Sequence, residues 1–527
     1  MRLFGVAPSR AHYDFQAILC IFDFMTSNMH NLCMTDVITS VFTKFDLLQP
    51  YNIWWQGHEG AFAELPAFRR DVFHELYADV KQLPQMVSVT GPRRVGKSTL
   101  LQQCIQQLIQ EAPDRQAQAN RIVYFSMQDP GLELPGFDQD RFFNELVTTA
   151  AKVAKDGPTY LFLDEIQRFA RWELYLKKFY DLKTPVRFVV SGSASAPIFR
   201  KSRESLLGRI KDFHVLPFSF RERLAAKSGQ NISCEAQDAL RELGEHGTLL
   251  RTSVSAEEQV NALQQVSLHP AFVGSYVGVE DYLFEGGFPE VWSLPTLLAK
   301  QEYLYQNQVE RVIFEDLLVV AEFRKPEMLR RFYLGLLKDP GRETNLSQLS
   351  KQIELARSTI ETYFPLLEAT DLVWRLHKHT STKATPKAGN FKTYLVDLAV
   401  RNVVMKLSQE LMVADATLMG AYAENVVANH LRRWPGLVEL GYWRRNNDEL
   451  DFIVDLGATR IGVEVKYRNE VQHKDVLKAA RLSQQLGCEA CIMVSKQPLI
   501  EADVSRLKEQ APVPLAVVPL AAFLMLF

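Results

Sequence analysis

Cysteine is scarce in this chain, and the few that occur are dispersed. Six cysteines lie among 527 residues, and only Cys488 and Cys491 are close enough to form a CxxC pair. This usage excludes a disulfide-stapled scaffold and favours a reducing compartment, so we expect a cytoplasmic location. A zinc site would need two further ligands near the pair, and none is evident. We interpret both residues as small apolar members of a buried strand.

Charge of one sign and long apolar runs are also missing. The 60 lysines and arginines nearly balance 62 acidic residues, which excludes a globally basic coat and confines any nucleic-acid surface to a local patch. The apolar C-terminal segment, 512–527, contains three prolines and is shorter than the ~20 residues of a membrane span. We expect it to form the last strand and helix of a core, and we expect no membrane partner.

The remaining composition is that of ordinary soluble domains. Hydrophobic residues make up 47% and charged residues 23% of a chain long enough for about three or four domains. Residues 1–33 show little pattern, and Met34 is an alternative start to Met1. Residues 15–25 carry Asp23 and make a poor signal peptide.

Short β-rich runs alternate with helical stretches between residues 86 and 216. The runs are MVSVT, RIVYFS, TYLFL, VRFVVS and FHVL. Such alternation predicts an α/β fold with a parallel sheet covered by helices on both faces. Residues 226–330 have a helical pattern, and the region after 397 combines helix with a hairpin.

Residues 91–98, GPRRVGKS, match G-x-x-x-x-G-K-[ST] between a predicted strand and a predicted helix. Glycines let backbone N–H groups surround phosphates, and the helix directs its positive end toward the anion. Lys97 would reach the β- and γ-phosphates, and Ser98 would bind Mg²⁺. We therefore expect ATP and Mg²⁺ as cofactors. The predicted nucleotide-binding residues of this loop are Gly91, Pro92, Arg93, Arg94, Val95, Gly96, Lys97, Ser98 and Thr99.

A second set of polar residues follows neighbouring strands. Asp164 would hold Mg²⁺ through water and Glu165 would polarise the attacking water, although Asp164 is also suited to cap a helix. Ser191 or Ser193 would lie near the γ-phosphate, or would only close a strand. Arg209 would stabilise transition-state charge in its own or a neighbouring subunit, or is a solvated surface residue.

Residues 345–376 have the pattern of a helix-turn-helix followed by a wing. Ser358 and Glu361 predict a capping box at the second helix, and Pro365 predicts a kink in it. The wing is basic and suits a DNA backbone, whereas the second helix is not basic, so a protein interface or hinge is the alternative. The basic residues of the predicted wing are Arg375, Lys378, Lys383, Lys387 and Lys392.

A carboxylate cluster is predicted near the C-terminal end. Glu424 lies on the apolar stripe of a predicted helix and therefore needs a partner. A turn at residues 457–458 predicts a hairpin that sets Asp451 opposite Glu464. Facing carboxylates repel unless a cation lies between them, and Lys466 would then hold water or phosphate. This pattern indicates a site for Mg²⁺, or alternatively Mn²⁺, at Glu424, Asp451 and Glu464, with Lys466 catalytic; a surface hairpin is the alternative.

The motifs GPRRVGKST, LFLDEIQ, SGSAS, FEGGFPEV, YAEN and DFIV…VEVK together resemble a known family over roughly residues 60–527. It is the prokaryotic P-loop ATPases of the AAA+/archaeal type with a C-terminal PD-(D/E)xK nuclease-like domain. The resemblance implies an ASCE parallel-sheet ATPase core and an α/β restriction-endonuclease-like domain. The predicted domains are an N-terminal extension (1–55), the ATPase core (56–225), a helical lid (226–330), a winged helix-turn-helix (331–396) and the nuclease-like domain (397–527).

The leading hypothesis is an ATPase that couples nucleotide state to DNA binding or processing, with metal-dependent nuclease activity. Two alternatives stay open. One is a regulatory switch whose nuclease-like domain binds without cleaving. The other is a protein-remodelling ATPase, for which a homo-oligomer is expected.

Overall fold

The computed structural model describes residues 47–57, 60–153, 157–193, 206–227, 255–267, 278–317, 326–379, 390–434 and 436–526. Most of the predicted N-terminal extension, and the predicted wing residues Lys383 and Lys387, lie outside these ranges. Among the helices within them, none combines the length and the apolar composition that crossing a bilayer requires.

Strands in the described ranges belong to three sheets. They are β1 (Met86–Gly91), β2 (Ile122–Ser126), β3 (Thr159–Asp164), β4 (Val186–Ser193), β5 (Ile210–His214), β6 (Glu343–Thr344), β7 (Val373–His377), β8 (Phe391–Leu395), β9 (Glu439–Arg445), β10 (Asp448–Asp455), β11 (Arg460–Lys466), β12 (Ala490–Ser495) and β13 (Leu515–Pro519).

Helices connect and cover these sheets. They are α1 (Phe73–Gln82), α2 (Lys97–Gln110), α3 (Arg115–Ala119), α4 (Gln139–Val153), α5 (Trp172–Asp181), α6 (Phe220–Lys227), α7 (Ala256–Ser267), α8 (Val279–Glu285), α9 (Pro289–Trp292), α10 (Leu297–Leu304), α11 (Pro326–Leu336), α12 (Leu346–Ile353), α13 (Arg357–Ala369), α14 (Leu398–Val404), α15 (Gln409–Ala414), α16 (Ala416–Leu431), α17 (His473–Gln485), α18 (Glu501–Gln510) and α19 (Leu520–Met525). Two π-helical segments, Tyr305–Glu310 and Val312–Asp316, continue from α10.

The first sheet is fully parallel, with the strand order β2-β3-β4-β1-β5. Its apolar strands are covered on both faces, since the neighbours Val189 and Val190 of β4 belong to separate apolar clusters. The predicted parallel-sheet α/β core is therefore confirmed. The fifth strand, predicted at residues 213–216, instead begins at Ile210.

A helical body follows the first sheet. Helix α8 packs against α14 and α15. Asp397 caps α14 and also accepts a hydrogen bond of 2.7 Å from the Gly287 backbone N–H. Asn402 donates to the carbonyl groups of Leu283 and Phe284. The predicted boundary at residue 396 thus falls inside this helical body, and we propose a boundary near residue 415 instead.

Three helices and a small antiparallel sheet form the middle unit. Helices α11, α12 and α13 pack on one another, and the strand order is β6-β8-β7. Helix α13 begins at Arg357 after Ala356, without a side-chain cap, so the predicted Ser358–Glu361 capping box is wrong. Glu361 instead pairs with Arg357 one turn away, at 2.9 Å.

The C-terminal sheet is mixed, with the order β13-β12-β11-β10-β9. Strands β9, β10 and β11 are antiparallel, whereas β12 and β13 continue in parallel. Strand β13 and helix α19 form the predicted terminal strand and helix. Helix α7, predicted as part of the lid, packs on β12 and β13, where the Val517 N–H donates to Gln264. Its apolar face is therefore buried by the C-terminal sheet.

Candidate functional site

The phosphate loop, residues 91–98, begins where β1 ends and continues into α2. Gly91 has φ 147°, and a side chain there would overlap the Val215 carbonyl group. Gly96 has φ 89° and faces open space. Only glycine adopts these conformations without strain, so the two fixed glycines of the motif give the loop its path.

Helix α2 places the polar end of the motif at its first turn. Lys97 is buried, and its Nζ donates to the carbonyl groups of Gly91 and Pro92 at 3.1 and 2.7 Å. Ser98 is exposed and Thr99 half-buried. The N–H groups of a first helical turn have no intrahelical acceptors, so this end of α2 suits an anion.

Asp164 is the point where three neighbouring strands and the loop meet. Its Oδ2 accepts from the Ser98 hydroxyl at 2.5 Å and from the Tyr124 hydroxyl at 2.7 Å. Its Oδ1 accepts from the Ser191 hydroxyl and from the Glu165 N–H. The structure thus brings Ser98, Asp164 and Ser191 together at the carboxyl ends of the parallel strands.

The other polar residues beside this cluster have distinct positions. Glu165 has φ 51°, which is uncommon for a residue with a side chain, and accepts from Gln167 at 2.5 Å. Ser193 lies beside Gly91 in the β4–β1 register. Tyr124 was not predicted. The sequence did contain a signal for it. Alternate residues of a strand share a face, so Tyr124 lies on the same face as Ser126, which is paired with Asp164 of the next strand.

The loop is also attached to the helical body. Arg93 pairs with Glu315 at 3.2 Å, and Arg94 pairs with Glu290 at 2.9 Å. The Gln308 side chain donates to the Arg93 carbonyl at 3.0 Å. The two glutamates are about half exposed, so these pairs are weak and are readily exchanged for other partners.

Arg209 does not join this site. Its carbonyl group accepts from the N–H of Met86, at the start of β1, and its guanidinium pairs with Asp181 at 2.8 Å. The phosphate loop follows the opposite end of β1, five residues and roughly 17 Å away. A role of Arg209 within its own chain's site is thus unsupported, and a role in a neighbouring subunit stays a prediction.

Val95 of the loop is connected through a buried ion-pair group to the part of the chain that follows the proposed boundary near residue 415, which we call the C-terminal module. Arg70 donates to the Val95 carbonyl at 2.9 Å and pairs with Glu222 at 2.6 Å. Arg433, just beyond α16, lies 3.6 Å from the same carboxylate. The positive charge of Arg70 and Arg433 lowers the pKa of Glu222 despite its burial. We call Arg70, Glu222 and Arg433 the ion-pair bridge.

The predicted hairpin of the C-terminal module has the expected register. Phe452 pairs with Val463, which places Asp451 opposite Glu464. The Asp451 N–H donates to Glu464 at 3.2 Å, and the Val465 N–H donates to Asp451 at 2.9 Å. Lys466 donates to Glu464. Burial, together with the Asp451 charge, raises the pKa of Glu464 to about 8.

Lys392 of β8 joins Glu424 to this hairpin. Its Nζ lies 2.8 Å from Glu424, 2.7 Å from Glu449 and 3.5 Å from Asp451. The Tyr394 hydroxyl donates to Glu424 at 2.7 Å. We call this group the carboxylate cluster. It comprises Glu424, Glu449, Asp451, Glu464, Lys392, Tyr394 and Lys466.

The cluster does not fit the predicted metal site. Within the described part of the chain, no three His, Cys, Asp or Glu side chains are arranged to hold a metal ion. The cation between Glu424 and Asp451 is the ammonium group of Lys392. Burial alone would lower the pKa of Lys392, but Tyr394 and the carboxylates raise it well above its usual value.

Of the predicted basic wing, the structure describes Arg375, Lys378 and Lys392, and two of these three have acidic partners. Arg375 pairs with Glu368 at 2.5 Å and lies over the Phe364 ring. Lys392 is buried in the carboxylate cluster. Lys378 is exposed and follows β7. Two of the five predicted basic residues therefore have internal acidic partners, and these cannot be counted toward a DNA surface.

Comparison with known proteins identifies the first module. A family described as an AAA domain (AAA_14) matches residues 83–224. Two families described as domains of unknown function match residues 277–411 (DUF8612) and 419–514 (DUF4143). The first match contains the phosphate loop, Asp164 and Glu165. The chain thus carries an AAA-type P-loop ATPase domain, and such a domain supports nucleotide binding and hydrolysis.

Several curated relatives share most of the chain. The uncharacterized protein MJ1637 of Methanocaldococcus jannaschii is 26% identical over 355 residues, covering 66% of this chain and 67% of the relative. MJ1544 of the same organism is 22% identical, covering 76% and 79%. Rv2008c of Mycobacterium tuberculosis, also uncharacterized, is 22% identical, covering 80% and 78%.

Two solved structures are similar at a low level. PCH-2 of C. elegans is 12% identical with a TM-score of 0.25, covering 59% of this chain and 70% of that chain. AMPPCP-bound DnaA of Aquifex aeolicus is 14% identical with a TM-score of 0.22, covering 56% and 86%. TM-scores this low do not indicate a shared arrangement of domains.

Proposed function

We propose that this protein is an ATP-hydrolysing switch that transmits its nucleotide state to a C-terminal module that binds a macromolecule without cleaving it. The observation that carries the proposal is the attachment of the phosphate loop on two sides. Arg93 and Arg94 reach the helical body, and Val95 reaches the C-terminal module through the ion-pair bridge. A change at the loop therefore alters contacts with both.

The residues of the first module fit ATP and Mg²⁺. The open space at Gly96 and the N-terminus of α2 suit phosphate groups, and Lys97 is beside them. The Ser98 hydroxyl and the Asp164 carboxylate would hold the cation, which neutralises phosphate charge when bound. Glu165 would orient the attacking water, and Ser191 holds the Asp164 carboxylate in position.

The ion pairs between the phosphate loop and the helical body suit a switch because each is weak. Ion pairs with a half-exposed carboxylate, such as Arg93–Glu315 and Arg94–Glu290, contribute about 0–1 kcal/mol each. A bound triphosphate places strong negative charge beside both arginines, which competes with the glutamates for them. Nucleotide binding would therefore release the helical body at small cost, and hydrolysis would restore the pairs.

DNA is the macromolecule that we propose for the C-terminal module, with Lys378 at its edge as one exposed contact. A second candidate function is metal-dependent DNA cleavage. The convergence of Glu424, Asp451, Glu464 and Lys466 favours it. Lys392 between the carboxylates argues against it, and we give the binding module preference for that reason. A remodelling role with a homo-oligomer stays the third prediction.

One experiment separates these functions. Purified wild-type protein and the Lys97→Ala variant are assayed for ATP hydrolysis, and DNA cleavage is assayed with Mg²⁺ or Mn²⁺ beside Glu464→Ala. We expect the Lys97→Ala rate to fall by roughly 100- to 1,000-fold, as for loss of a transition-state charge contact. We expect DNA retention without cleavage. Unchanged hydrolysis by Lys97→Ala would refute the switch, and cleavage that Glu464→Ala lacks would favour the nuclease.

A further inference from the structure

Lys392 is unusual for a lysine because its side chain is almost completely buried, with 3% of its surface exposed. It lies in β8, and Tyr394, two residues on, shares its face and contacts the same Glu424. A lysine is rarely buried unless it is paired. Here its partners come from α16 and β10, outside the small sheet to which β8 belongs.

The carboxylates around Lys392 require a cation. Glu424, Glu449 and Asp451 converge on one ammonium group, and Glu464 is adjacent to Asp451. Buried carboxylates without a compensating charge are strongly destabilising. A divalent ion would compensate them through oxygen contacts of about 2.0–2.6 Å. The ammonium group already lies between Glu424 and Asp451, and two cations at that position would repel each other strongly.

We propose that Lys392 is the resident cation of the carboxylate cluster and excludes a divalent cation from it while β8 is docked. The inference rests on the proposed function and deepens it, because it supplies the reason that the C-terminal module binds without cleaving.

The docking of β8 is itself well supported. Gly341 of the middle unit packs against the cluster, because a Cβ atom at this position would lie 3.3 Å from the Tyr394 ring and 3.7 Å from the Glu424 carboxylate. The His379 N–H donates to the Tyr442 carbonyl at 2.7 Å, and the Tyr442 hydroxyl donates to Glu343 at 3.0 Å. Because Lys392 belongs to β8, movement of the small sheet away from β9 would withdraw it from the cluster. Access of a cation to the cluster is therefore coupled to the position of the middle unit.

The test measures Mn²⁺ binding by calorimetry on the full-length chain, without nucleotide or DNA. An Asp164→Asn background removes the cation ligand of the nucleotide site. We expect Lys392→Met in this background to bind Mn²⁺ at least 100-fold more tightly than the parent with Lys392 intact. Adding Asp451→Asn should abolish the gain, and Lys392→Arg, which keeps the charge, should show none.

The parent protein decides the outcome even if Lys392→Met does not fold. Mn²⁺ binding by the parent that Asp451→Asn abolishes would overturn the proposal, whereas its absence supports it. Because neither ATP hydrolysis nor DNA cleavage is measured, the result is independent of the proposed switch. A chain with no ATPase activity could still show the predicted gain of Mn²⁺ binding, and an active one could still lack it.

Discussion

The nucleotide site and the carboxylate cluster both place acidic residues on strands of a sheet, but they stabilise these acids differently. The partners found on Asp164 are hydroxyl groups and a backbone N–H. The partners found on Glu424 and Asp451 include the Lys392 ammonium group. Hydroxyl donors leave the negative charge of a carboxylate in place, whereas an ammonium group neutralises it. The first arrangement is ready for a cation, and the second already contains one.

Exposure differs in the same direction. Ser98, beside Asp164, is exposed, and the loop is open at Gly96. Lys392 is buried, and Gly341 approaches the cluster from the middle unit. The two sites therefore contain similar acidic residues but differ in how accessible they are to solvent. An acidic cluster in a sequence indicates where charge must be compensated, and only the packing shows whether the protein or a ligand compensates it.

The largest effect is expected from a variant that disrupts the ion-pair bridge between the two sites. Glu222→Gln leaves Arg70 and Arg433 without their shared buried carboxylate. Removal of one partner from a buried ion pair costs about 3–5 kcal/mol, so we expect a loss of that size in the free energy of unfolding. Chemical denaturation followed by circular dichroism measures it.

The matched control for this variant is Glu111→Gln. Glu111 also pairs with a basic residue, Lys81, but both side chains are about two-fifths exposed. Such a pair contributes about 0–1 kcal/mol. Equal stability of the Glu222 and Glu111 variants would show that the bridge does not hold the two modules together.

A smaller loss of stability is expected when the pH is lowered. It arises from His430, which lies near Arg433 of the ion-pair bridge. Val426 accepts from His430 at 2.8 Å, and the Phe220 N–H approaches the other ring nitrogen at 3.4 Å, so the ring is neutral. Burial and Arg433 lower the pKa of His430 to about 3. The unfolded chain therefore binds a proton below pH 6.5 that the folded chain does not. Stability is full above pH 6.5 and is lost as pH falls toward 3.

At pH 5 this loss amounts to about 2 kcal/mol. Thermal unfolding at pH 7 and pH 5 measures it, and His430→Gln should show a smaller difference between the two pH values, because glutamine does not titrate. If both proteins lose the same stability, then other groups at the junction are responsible for the acid sensitivity.

Local patterns predicted the parts of the molecule that depend on neighbouring residues in sequence. The Gly91–Ser98 motif, the acid at the end of β3 and the hairpin that sets Asp451 opposite Glu464 are of this kind. Each depends on a strand, a turn or a helix start that a few consecutive residues determine. The parallel sheet followed from the alternation of such elements for the same reason.

Long-range charge pairing could not be predicted in this way. Lys392 was assigned to a basic surface because its neighbours in sequence are basic, but docking of β8 buries it among acids from α16 and β10. Arg209 was a candidate for the nucleotide site of its own or a neighbouring subunit, or a surface residue, and the parallel sheet places it at the end of β1 opposite the site of its own chain. In both cases the sequence shows which charge is present, and the packing of distant elements determines its partner.

The smallest predicted effect sharpens the description of the nucleotide site, and it concerns Tyr124. Its hydroxyl donates to Asp164 Oδ2, the oxygen that also accepts from Ser98. Loss of one such hydrogen bond costs about 1 kcal/mol, or roughly fivefold. Because the Tyr124 hydroxyl is hydrogen-bonded to Asp164, we expect Tyr124→Phe to lower kcat for ATP hydrolysis by that factor and to leave KM unchanged.

Tyr160→Phe is the matched control, since Tyr160 is also a buried sheet tyrosine but lies on β3 four residues before Asp164, at the other end of the sheet. We expect its kcat to equal that of the wild type. If Tyr124 had only a structural role, Tyr124→Phe would lower the free energy of unfolding but its kcat would match that of Tyr160→Phe. If kcat falls in Tyr124→Phe only, then the hydroxyl groups on Asp164 hold that carboxylate in its working position, as Lys392 holds the acids of the second site.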